Sequence, residues 1–291
     1  MTIGPGAREN EVSAAAASTP AILSLPDRHG AAQTRNTSSG TLDGVLDDLL
    51  ALVVPAVCVA CRRAGEVARN DPLCRACRQG LPWLGAQRCP RCGLPGPCGP
   101  RCPARAQAFS GAWAPVAYAG AVPALVNALK ERGAVGLARL MAAQIAATAP
   151  PGQWSGGAAM SVMTAQARGA APPIALVPVP ADALRRRRRG VDHAARLAAE
   201  LAPRCGLPVA PVLIRPLATG GRQAGLPRAQ RLRPDRLAVA LRTGGREPPA
   251  VAILVDDVHT TGATLHACAL ALREAGAIDV RAVTYARTLR G

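Results

Sequence analysis

Two groups of residues in this 291-residue chain have the types and spacing to do chemistry. The first is cysteine: Cys58, Cys61, Cys74, Cys77, Cys89, Cys92, Cys98 and Cys102 form four pairs among the ten cysteines present. A tight turn brings two thiolates two residues apart onto one ion, and four thiolates complete a tetrahedral Zn2+ site with no open position for a substrate. Such spacing in a reducing compartment points to metal rather than disulfides. Eight ligands suffice for two structural zinc ions. We expect the first four and the last four to pair sequentially; an interleaved arrangement, or a single ion, is the alternative. Cys98 and Cys102 are separated by three residues rather than two, so the second site is expected to hold its metal more loosely. Cys205 and Cys268 stand alone and read as small buried hydrophobes.

The second group is Asp256, Asp257, Thr260, Thr261, Gly262, Ala263 and Thr264. It follows the continuous apolar run Val251–Val255, the signature of a central parallel strand buried on both faces. Adjacent carboxylates at the expected end of such a strand need hydroxyls, cations or amides as partners. The small, hydroxyl-bearing turn leads into a helix carrying Leu265, Ala269 and Leu272 on one face, with Gly276 placed to cap its end. Unpaired backbone N–H groups and the helix dipole make that turn an anion site. The ligand that suits the set carries a phosphate beside a ribose: amides for the phosphate, carboxylates for the ribose hydroxyls.

Elements that must position these groups can be read from periodicity. Residues 1–40 show no sustained period and read as disordered. From Thr41, Leu42, Leu46, Leu49 and Val53 mark an amphipathic helix ended by Pro55. Strands are expected at 113–118, 174–179, 209–214, 237–241, 250–255 and 279–286. Helices are expected at 122–147, divided near Gly133, and at 191–202 and 263–275. Residues 150–173 and 215–235 read as loops. Strands alternating with helices imply an α/β fold with a mostly parallel sheet and flanking helices, joined to a small N-terminal cysteine module.

Composition narrows the partners. Basic residues exceed acidic ones, 35 to 18, giving a net charge of +17 that favours polyanions, and Lys130 is the only lysine. With three Trp, two Tyr and one Phe, the chain is poor in the aromatic faces on which single strands stack. No apolar run is long enough to span a bilayer and no secretory leader is visible, so a cytoplasmic location is expected.

The string DD-x-x-TTGAT at Asp256–Thr264 resembles the motif with which type I phosphoribosyltransferases bind phosphoribosyl pyrophosphate (PRPP). Three further stretches sharpen this to a resemblance to the ComF family of late competence proteins used in DNA uptake. They are the cysteine module behind a Leu-rich helix, the segment ALVNALKERG at 124–133, and VPVPADALRRRRRGVDHAA at 177–195. A hood-like stretch then precedes the PRPP loop. The resemblance implies three parts: a disordered segment at 1–40, a Leu-rich helix with a double zinc ribbon at 41–110, and a phosphoribosyltransferase domain at 111–291.

It also implies roles. Asp256 and Asp257 would be catalytic, and with Thr260–Thr264 would bind PRPP accompanied by Mg2+. Arg189 and Gly190 would grip pyrophosphate, and Gln223, Arg228 and Arg231 would belong to a closing hood. Where the family has Phe-Asn-Gln after Arg-Gly this chain has Val191, Asp192 and His193, and Asp235 replaces an Asn near the hood's end, which leaves base selection open. His193, on an expected helix near the arginine run, is the candidate general base, with a plain surface residue the favoured reading, and His259 has no assigned role. The implied reaction transfers the phosphoribosyl group to an unidentified nitrogen acceptor. The alternative is a non-catalytic PRPP-binding protein, or one that handles single-stranded DNA beside the competence helicase machinery.

Overall fold

The computed structural model describes residues 56–65, 67, 71–131, 135–155, 173–181, 192–216, 238–242, 244 and 247–289. The expected disorder at 1–40, the Leu-rich helix from Thr41, the arginine run with Arg189 and Gly190, and the hood residues Gln223, Arg228, Arg231 and Asp235 lie outside them.

The cysteine module contains one short helix, α1 (Arg75–Gln79), and a 3-10 turn at Gly99–Arg101. Strands β1 (Gly111–Trp113) and β2 (Val116–Ala117) follow, two short pieces where one strand was expected. Next come helices α2 (Val122–Leu129) and α3 (Val135–Thr148), strand β3 (Ile174–Pro178) and helix α4 (His193–Cys205). Strands β4 (Leu213–Ile214) and β5 (Ala240–Leu241) are shorter than expected and form a separate antiparallel pair. Strand β6 (Val251–His259), helix α5 (Ala263–Glu274) and strand β7 (Asp279–Arg287) complete a βαβ unit.

The main sheet has the order β1-β7-β6-β3, with β2 also on β7, and every pairing in it is parallel. Both faces are covered, as the unbroken apolar run of β6 requires. Val251, Ile253 and Val255 point into one core with Leu125 and Leu129 of α2, Met141 and Ile145 of α3, and Leu197 and Leu201 of α4. Ala252 and Leu254 point into the other, with Leu265, Cys268 and Leu272 of α5. Each fully buried Leu or Ile in these layers contributes roughly 1.5–3 kcal/mol. Among the described residues no helix is long and apolar enough to cross a membrane.

The two halves of the cysteine module dock on different cores. Cys58, Leu73, Cys74 and Leu81 join the α2–α3–α4 layer, whereas Cys89, Cys92, Cys102, Ala104 and Phe109 join the α5 layer. Arg88 anchors the stretch between them: its guanidinium stacks 3.6 Å from the Trp113 ring centre and donates to the carbonyls of Leu84 and Gly85.

Candidate functional site

The eight paired cysteines form two sets, Cys58–Cys61–Cys74–Cys77 and Cys89–Cys92–Cys98–Cys102, each with its sulfurs within 4.8 Å of one another. The pairing is therefore sequential. Thiolates about 2.3 Å from a tetrahedral ion stand roughly 3.8 Å apart. Sγ separations of 3.8 Å for Cys61–Cys74, 3.8 Å for Cys89–Cys102 and 3.4 Å for Cys92–Cys98 suit such an ion. The wider gap between Cys98 and Cys102 is absorbed by the 3-10 turn between them, so it does not open the site.

The first half of each set is the same knuckle. Cys58 N–H donates to Arg63 O and Arg62 N–H to Cys58 O; Cys89 N–H donates to Leu94 O and Gly93 N–H to Cys89 O. Burial pushes the Cys58 thiol up, but amides of Cys61, Cys74 and Ala60 outweigh it and draw it down to about 6. Cys89 is likewise drawn down to about 7 by the amides of Cys92 and Arg91. Each set thus offers a ready thiolate to a metal. Cys268 is fully buried and its thiol is pushed up to about 12 by burial, while Cys205 is partly buried against carbonyls of its own helix. Both are packing residues.

The acid pair does not lie where strand β6 ends, as the sequence suggested. Pairing with β7 carries β6 on through Asp256↔Thr284 to His259↔Arg287. What ends is the neighbour: the β3 ladder stops at Pro178↔Val255. Asp256 and Asp257 therefore lie just past the last β3 pairing, at the sheet's carboxyl edge, a common position for ligands in parallel sheets. Asp256 Oδ1 accepts from the Asp257 amide at 2.8 Å.

Two residues from other elements complete this cluster. Lys130 Nζ, just past the end of α2, forms an ion pair with Asp257 Oδ2 at 2.9 Å. His193 Nε2, at the start of α4, lies 3.5 Å from Asp257 Oδ2 and 4.0 Å from Asp256 Oδ1. His193 is thus part of the site rather than a surface residue. Its placement follows from Asp192, which caps α4 by accepting from the Ala195 amide at 3.1 Å. The segment at 124–133, which carries Lys130, entered through its resemblance and gave the lysine no role at the acid pair. Burial, followed by the Asp257 charge, raises the Asp256 carboxyl well above the ordinary aspartate range, with Lys130 acting the other way.

The turn after β6 is held from behind. Gly262 sits at φ 83°, and a Cβ there would fall 2.9 Å from His259 Nε2, so glycine is required on two counts. Gly262 is also the N-cap of α5 and offers no side chain to the helix's first amides. His259 is buried edge-on against Phe109, with ring centres 5.7 Å apart. Its backbone carbonyl accepts from Arg287 Nη1 at 2.9 Å and from the Thr288 amide at 3.0 Å. His259 is a packing residue that shapes the turn. Thr261 Oγ1 accepts from the Ala263 amide at 3.4 Å. Outside the turn a cavity of about 800 Å³ is lined by Thr260, Thr261 and Ala263, by His266 and Leu270 of α5, and by Gln107. It lies on the α5 side of the turn and does not include the acid pair.

Residues 49–106 match the model of the double zinc ribbon domain. No curated protein matched the chain. The match covers the cysteine module, whose two four-cysteine sites suit structural Zn2+.

Proposed function

We propose that this chain is a ComF-like protein with a type I phosphoribosyltransferase-like domain, which binds PRPP with Mg2+ and transfers the phosphoribosyl group to a nitrogen acceptor, releasing pyrophosphate. One observation carries the reading. Two adjacent carboxylates at the carboxyl edge of the parallel sheet are followed, after the end of β6, by a helix whose N-cap Gly262 offers it no side chain, which supports holding ribose hydroxyls and a phosphate at once.

The acceptor nitrogen's lone pair forms the new bond at C1 of the ribose as the C1–oxygen bond breaks and its electrons leave with pyrophosphate. Positive charge gathers on the sugar, and the carboxylates beside it stabilise that charge. Asp256 and Asp257 are thereby the catalytic and ribose-binding pair, and Thr260–Thr264 the phosphate turn. The carboxylate oxygens of Asp256 and Asp257 would hold a cation as hard as Mg2+, which would supply positive charge to the departing pyrophosphate, with Lys130 competing for Asp257.

Calorimetric titration of PRPP with Mg2+ present tests the binding step. Heat is expected with the native chain and is lost on Asp257→Asn; absence of heat from the native chain sinks the reading. Release of pyrophosphate in the presence of a nucleobase panel separates the transferase from a protein that only binds PRPP.

A further inference from the structure

We infer that Arg287 is a positioning residue that makes the shape of the turn at Thr260–Thr264 depend on the second four-cysteine site and not on the first. The inference rests on the reading of that turn as the phosphate subsite.

Arg287 ends β7 and is almost fully buried, 4% exposed. Its side chain joins two regions that are far apart in sequence. Nε donates to the carbonyl of Cys92, a ligand of the second set, at 3.0 Å. Nη1 donates to the carbonyl of His259 at 2.9 Å and to that of Thr260 at 2.5 Å. A single rigid guanidinium therefore spans from the backbone of a zinc knuckle to the backbone of the turn, and its planarity fixes their separation. Lysine, a point charge on a flexible stem, cannot hold both.

Contacts around Arg287 reinforce the link. Phe109, which follows the last cysteine of the second set, packs edge-on against His259, the residue whose ring leaves room only for glycine at 262. The Ala108 amide donates to His266 Nδ1 on α5 at 2.9 Å, and Arg273 Nε donates back to the Ala108 carbonyl at 2.6 Å. The second knuckle thus meets Arg287 through Cys92, and the segment that follows the second set meets the turn's His259 and the helix behind it. The first set has Val59 N–H donating to Pro72 O and Cys74 N–H to Cys58 Sγ, and packs on the opposite face of the sheet.

With the second ion lost, the Cys92 carbonyl is no longer fixed, Arg287 loses one end of its span, and the amides at the start of α5 lose their common direction. Arg287 touches no reacting atom; it acts through the turn.

The test compares one exposed or half-exposed ligand from each set. Cys61→Ser and Cys98→Ser are each expected to lose one zinc per chain by elemental analysis. Cys98→Ser is expected to weaken Mg2+–PRPP binding by about tenfold or more, the loss of one charge-assisted hydrogen bond, whereas Cys61→Ser changes it less than about twofold on the same scale. Arg287→Lys is expected to keep both ions and weaken binding similarly, with Arg287→Gln as a second variant should lysine not fold. In the double variant the two losses are expected not to add, since they break the same link.

Equal losses from Cys61→Ser and Cys98→Ser, or full additivity of Arg287→Lys with Cys98→Ser, overturn the inference. Amide exchange across residues 260–264 reads the same link without ligand: faster in Cys98→Ser, unchanged in Cys61→Ser. If the native chain binds no PRPP, the functional reading fails while the exchange measurement still decides the role of Arg287.

Discussion

The two four-cysteine sets begin with the same backbone knuckle and are put to different structural use. In both, the residue after the second cysteine takes a left-handed conformation: Arg62 at φ 63° in the first, Gly93 at φ 71° in the second. The first knuckle can tolerate an arginine there because the position is exposed and open. The second cannot, since a Cβ on Gly93 would lie 3.1 Å from the Ala112 carbonyl of β1. The lesson is that a metal knuckle is a local structure, fixed by its ligands. What it does for the rest of the molecule depends on what its far side is packed against.

Removing metal should produce the largest effect and tests the comparison at its base. Two zinc ions per chain are expected by elemental analysis. Stripping them with a chelator should cost on the order of 10 kcal/mol of site stability, seen as collapse of the thermal transition. One ion per chain would mean that only one of the two sets is a true site.

Acid should next distinguish the second set's surroundings. Burial, with the Arg287 charge behind it, holds the His259 pKa down at about 3 against an ordinary 6.5. Below the ordinary value the unfolded chain takes up a proton that the folded chain refuses. Stability is therefore expected to rise with pH from about 3 to about 6.5, and to be lost on acidification through that window. Between pH 7 and pH 5 the loss is about 2 kcal/mol. Because zinc thiolates also take up protons in acid, the difference in urea midpoint between the native chain and His259→Gln, followed over this range, isolates the histidine. Identical slopes for the two would rule out His259 as the buried neutral base.

The smallest effects should have opposite signs at equivalent positions. Gly93→Ala is expected to destabilise by about 1–2 kcal/mol from the left-handed backbone alone, with the Ala112 contact adding to it. Arg62→Gly should stabilise by up to about 1 kcal/mol by relieving the same conformation. Denaturant midpoints measure both; equal signs would mean that the two knuckles are environmentally alike after all.

Much of this molecule was legible from residue order. The apolar run Val251–Val255 required a strand covered on both faces, and Ala252 and Leu254 do face one core while Ile253 and Val255 face the other. Cysteine spacing gave the four ligand pairs, because each knuckle is local; it left sequential and interleaved grouping open, and the structure groups them sequentially. Boundaries were less secure. The sequence could not show that β6 runs on to His259, since that extension comes from its ladder with β7, formed between residues distant in the chain. Likewise, among the described residues β4 and β5 pair with each other and not with the main sheet, a pairing between segments distant in sequence.

The sequence by itself determined which residues could hold metal and singled out the turn proposed to meet a phosphate, since both readings depend on short-range spacing. Only the tertiary structure decided that Lys130 and His193 converge on Asp257, and that Arg287 ties Cys92 to Thr260. Those pairings join separate elements across the sheet, and no local pattern records which side chains the packing of α2, α4 and β7 will bring within a hydrogen bond of one another.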